Sequence, residues 1–150
     1  MITEERFLRD VAKHEMTIVM DNGIHRNVVF KNPDGSNMWF GLQTWPNNLC
    51  FYGDMGTFVF SRLPDMFTFF RKGVDGDPIY INTRYWSEKI TASDRNGGVE
   101  EFSFRSERDG LKFDMQDFYE NNFMEYTPRF VWACYAIQWG IRKYDVEVAK

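Results

Sequence analysis

Cysteine and histidine are scarce: Cys50 and Cys134 are the only cysteines in 150 residues, and His14 and His25 the only histidines. The cysteines have neither the spacing of a zinc knuckle nor the density of a disulfide scaffold, so both are expected to be reduced core thiols. No apolar run approaches the ~20 residues that cross a bilayer, and the N-terminus MITEERFLRD is charged from Glu4 onward, unlike a signal peptide. The expected setting is cytoplasmic, with no membrane partner. Basic runs are also missing; with a formal net charge of -4, the chain has no stripe suited to a phosphate backbone, which argues against nucleic acid. Phosphate loops, dinucleotide fingerprints, nucleophile elbows and paired-histidine zinc motifs are absent too, so no catalytic residue and no cofactor is assigned.

Three weaker patterns compete with ordinary turn chemistry. His14 and His25, with Glu15, would need a hairpin to bring them together as metal ligands, and the reading kept is no metal. Asp94, Asn96 and Gly98 approach a calcium loop, but Gly98 stands where an oxygen ligand belongs and Val99 where glycine is required. Asp75-Gly76-Asp77-Pro78 and Asp54 read as turns, and Asp65 as a helix-start acid. The stretch from Asp94 to Glu125 carries nine acids against Arg95, Arg105, Arg108 and Lys112. A solvated face is the preferred reading there, over imitation of DNA.

What the chain does have is rings: 15 Phe, 7 Tyr and 5 Trp make it 18% aromatic. That is ample apolar area for a core, with some rings left to form a contact surface. One α+β domain over residues 1–150 is expected. Thr3 with Glu4 and Glu5 opens a helix to about Lys13, with Phe7, Leu8, Val11 and Ala12 in one stripe. Period-two alternation and the turns at Asn22-Gly23, Asn32 to Gly35, Pro46 to Asn48 and Gly53 to Gly56 then predict a five-stranded antiparallel meander with helices packed on one face. Met16, Ile18, Met20, Ile24, Val28, Phe30, Met38, Phe40, Leu42, Leu49, Phe51, Phe58 and Phe60 form the expected core face. The opposite face carries His25, Asn27, Val29, Trp39, Gln43, Trp45, Cys50, Tyr52 and Val59. Of these, His25, Trp39, Gln43, Trp45 and Tyr52 are candidates for a ligand face.

Pro64 opens a predicted helix through Lys72, and Asn82 caps another containing Tyr85, Trp86, Glu88 and Ile90. A short strand at Phe102 to Arg105 and a weak helix around Asp117 to Asn122 complete the middle. Thr127 and Pro128 start a long helix ending near Tyr144. At 100° per residue, Phe130, Cys134, Ile137, Ile141 and Tyr144 line one side, which is expected to face the sheet. Trp132, Tyr135 and Trp139 line the other and are the candidate partner-binding surface, unless the helices around Phe67 to Phe70 and Tyr85 to Trp86 cover them.

The strings TWPNNLCFYGDMGTFVFSRLPDMFTFF (Thr44 to Phe70), YWSEKI (Tyr85 to Ile90) and EYTPRFVWACYAIQWGIRKYD (Glu125 to Asp145) resemble a family of small uncharacterised proteins encoded by tailed bacteriophages and prophages. The resemblance covers about two thirds of the chain and is least over Asp94 to Asn122. It implies the cytoplasm of an infected bacterium and transfers no functional residue. Small phage proteins without catalytic motifs often bind and block a host component, including antiviral defence. Three functions stay open: a protein-binding inhibitor or adaptor whose partner is a host protein or a second copy, a small-ligand binder or enzyme on the mixed sheet face, and a nucleic-acid binder stacking bases on Trp39, Trp45 and Tyr52.

Overall fold

The computed structural model describes residues 1–94 and 126–150. The expected strand at Phe102 to Arg105, the helix around Asp117 to Asn122, the calcium-like stretch beyond Asp94 and most of the acidic run lie outside those residues. Thr3 caps the first helix, α1 (Glu4–Asp10), its Oγ1 accepting from the Arg6 amide at 3.1 Å. Strands β1 (Glu15–Asn22), β2 (His25–Lys31), β3 (Phe40–Trp45), β4 (Asn48–Gly53) and β5 (Phe58–Ser61) follow as antiparallel neighbours. Positive φ at Gly23 (64°) and Asn47 (70°) makes the two tightest turns, which glycine and asparagine tolerate.

The sheet has six strands rather than five. Asp65 caps the short helix α2 (Met66–Phe70) and Asn82 caps α3 (Thr83–Ser87), but α3 stops before Ile90. Ile90–Ser93 is instead β6, pairing antiparallel with β5 and extending the order to β1-β2-β3-β4-β5-β6. The long helix α4 (Pro128–Val148) runs 21 residues from its Thr127 cap, four beyond the expected end at Tyr144.

Val28, Phe30, Phe40, Leu42, Leu49, Phe51, Phe58 and Phe60 are all buried on one face, joined in a single cluster by residues of each of the four helices among the described residues. Met20 is a correction: it is 54% exposed. A bulge between Ile18 and Met20 puts Met20 opposite Asn27, on the outer face, and shifts Asp21 opposite Arg26 on the inner one. Ile24 also leaves the expected core set, sitting half-buried in the turn between β1 and β2. Met16 and Ile18 are half-buried at the core's margin.

The orientation of α4 is the larger correction. A Cβ added at Gly140 would lie 3.0 Å from Leu42 Cδ1 and 3.1 Å from Phe30, so Gly140 directly faces β2 and β3. On a helical wheel Gly140 sits about 80° from Phe130 and about 100° from Trp139. The two ring stripes are therefore the flanks of the helix, and neither is its sheet-facing centre. Phe130 packs edge-on against Phe58 at 5.5 Å on one flank, while Trp132 meets Phe40 at 5.6 Å and Trp139 meets Phe30 at 5.5 Å on the other.

Candidate functional site

Trp132 is fully buried, so it is not a free contact surface. Its cover is α1, not the helices around Phe67 to Phe70 and Tyr85 to Trp86. The Phe7 ring stands at 5.0 Å from Trp132, 5.9 Å from Tyr135 and 5.9 Å from Trp139. The Trp132 indole N–H, which burial would otherwise leave unpaired, donates to Asp10 at the end of α1. Tyr135 and Trp139 remain half-buried, and Trp139 opens onto a cavity.

That cavity is a groove of about 780 Å³ between α1, β1 and the last turns of α4. Its apolar wall is Leu8, Val11, Met16, Ile18, Trp139 and Val146, and its polar residues are His14, Glu15, Asp75, Lys143 and Glu147. A side pocket of about 310 Å³ continues from Leu8 and Trp139 towards Asp77 and Pro78. Leu8 and Val146 remain 41% and 45% exposed in the folded chain. The sequence places Leu8 in the helix stripe with Phe7 and Val11, but one turn of α1 spans a narrower arc than the stripe implies. Phe7 and Val11 reach the core while Leu8 lies over the groove.

Charges in the groove are mostly acidic. Lys143 is engaged by Asp75 at 3.0 Å and lies 5.3 Å from the Trp139 ring centre. Glu147 is bridged by the chain's last residue, Lys150, at 3.2 Å. Glu15, opposite Lys31 in the ladder, makes no side-chain ion pair within 4 Å among the described residues. His14 Nε2 donates to the Met38 carbonyl at 2.8 Å, while Nδ1 is buried and without a partner among the described residues. His25 starts β2, opposite Asn22, whereas His14 precedes Glu15, opposite Lys31. The hairpin thus holds the two histidines at opposite ends, roughly 20 Å apart at ~3.3 Å per residue. No group of three metal-binding side chains exists among the described residues.

The proposed ligand face divides into two groups. Trp39 meets Tyr52 edge-on at 5.9 Å at one end of β3, while Trp45 closes the other end of that strand and His25 lies at the same end of β2. Gln43 sits between them, opposite Cys50. Tyr52 lies down over Gly41, where any Cβ would strike its ring, and its hydroxyl donates to Asn27 at 2.5 Å. Burial pushes the Tyr52 hydroxyl and the Cys50 thiol up from their ordinary values, and pushes Cys134 well up. All three are thereby kept protonated and unreactive.

Two polar clusters organise the frame, and residue spacing signals neither of them. Arg26, on the inner face of β2, donates to both oxygens of Asp65 at 2.9 and 3.0 Å and to Thr44 at 3.3 Å. The Tyr144 hydroxyl receives Arg26 Nε at 3.4 Å and donates to Asp21 at 2.7 Å. The Arg26 guanidinium also stands 4.2 Å from the Phe67 ring centre. The Arg26 bonds hold the Asp65 carboxyl below its ordinary value against the opposing effect of burial. On the side of α4 away from the sheet, buried Arg142 donates to the carbonyls of Lys72, Asp77 and Pro78, and buried Gln138 takes the Tyr80 amide at 2.7 Å while donating to Phe70 O at 3.2 Å. These bonds fix the chain between α2 and α3, and with it Asp75 at the groove mouth. No helix among the described residues is long and apolar enough to cross a membrane. No protein-family model matches this chain, nor does any curated protein or any solved structure.

Proposed function

We propose that the chain is a non-catalytic protein-binding domain of the kind encoded by tailed phages and prophages, acting in the cytoplasm of an infected bacterium on a host component such as an antiviral defence protein. The resemblance of Thr44 to Phe70, Tyr85 to Ile90 and Glu125 to Asp145 supports the setting. The groove supports the mode of action: Leu8 and Val146 hold exposed apolar surface against it, beside Trp139 and the edge of β1. Exposed apolar surface of this sort is costly to keep in water and is characteristic of contact sites. The candidate contact residues are thus revised to Leu8, Trp139 and Val146, with Tyr135 beside them and Trp132 as buried support.

Affinity purification from bacterial lysate tests the reading with three baits: the unaltered chain, Leu8→Glu in the groove and Gln43→Glu on the outer sheet face. A stoichiometric protein retained by the first and third baits and lost by the second supports it. Equal retention by all three, or none by any, overturns it. A small ligand is a second reading, favoured by the groove volume, which falls within the usual ~300–1,000 Å³ of ligand sites. Thermal stabilisation by a bacterial metabolite, lost in Leu8→Glu, would select it.

A further inference from the structure

We draw no further inference here: the strongest candidate, the outer edge of β1 with the apolar groove that runs beside it between α1 and the last turns of α4, belongs to the site already described, and nothing in the structure shows what covers it.

Discussion

Trp132 Nε1 donates to Asp10 Oδ2 at 3.0 Å across 122 positions of sequence, tying the long helix to the end of α1. This contact turns a ring that the sequence places on an outer stripe into a buried anchor for one wall of the groove. Asp10→Ala should cost about 1–3 kcal/mol, the penalty of an unpaired buried donor. Trp132→Ala should cost about 3–5 kcal/mol, adding a cavity beside Phe7 and Phe40. Urea unfolding measures both; a loss below about 1 kcal/mol for Trp132→Ala would put the ring at the surface.

The Arg26–Asp65 pair makes a pH prediction with a definite sign. Because Arg26 lowers the folded-state value of Asp65, the pair's contribution is fully present above the ordinary carboxylate value of 3.8 and is lost as pH falls through the lower folded value. Asp65→Asn should thus be less stable than the unaltered chain at pH 7, with the gap closing below about pH 4. Thermal unfolding across pH 2 to 7 follows it; a gap that stays constant to the acid end would contradict the pairing.

Arg142 satisfies backbone carbonyls, with no carboxylate among its bonds, so its removal should loosen a loop more than it disturbs a charge. Arg142→Met is expected to speed proteolysis between Lys72 and Pro78 while leaving the sheet folded, because the carbonyls of Lys72, Asp77 and Pro78 lose their common donor. Mass spectrometry of limited digests locates the cuts. Unchanged cleavage would mean that Gln138, through Tyr80 N and Phe70 O, is sufficient to hold the segment.

Trp39, Trp45 and Tyr52 should not bind nucleic acid with useful affinity at physiological salt. Trp39 and Tyr52 pack on each other at one end of β3 and Trp45 closes the other, and the sequence has no basic run to neutralise a phosphate backbone. Titration of labelled single-stranded and duplex DNA and RNA checks this; tight, salt-sensitive binding to any of them is the contrary result.

The meander was legible because its turns have local chemistry: Asn22-Gly23 and Pro46-Asn47 supply the backbone conformations that the hairpins require. Alternation then assigned Val28, Phe30, Phe40, Leu42, Phe51 and Phe58 to one face. Ile90–Ser93 has no strand signal of its own because it follows α3 after two residues and its sequence continues the pattern of that helix. The bulge that turns Met20 outward has no glycine to announce it. Both ring stripes of α4 are apolar, and periodicity alone does not reveal that the close approach is made between them, at Gly140. Arg26 was hidden because its inward position becomes favourable only when distant Asp65 and Tyr144 meet it. The groove depends on α1 crossing beside β1 and α4, a tertiary relation absent from any local pattern.

The central claim is that the surface between α1, β1 and the end of α4 is where a partner protein sits. A photo-crosslinking amino acid placed at Leu8, and in a separate chain at Gln43 on the outer sheet face, tests it in bacterial cells. Crosslinking to one protein from Leu8, with none from Gln43, is the predicted result. Crosslinking from Gln43 with none from Leu8 would contradict the account and move the binding surface to the face of Trp39 and Tyr52.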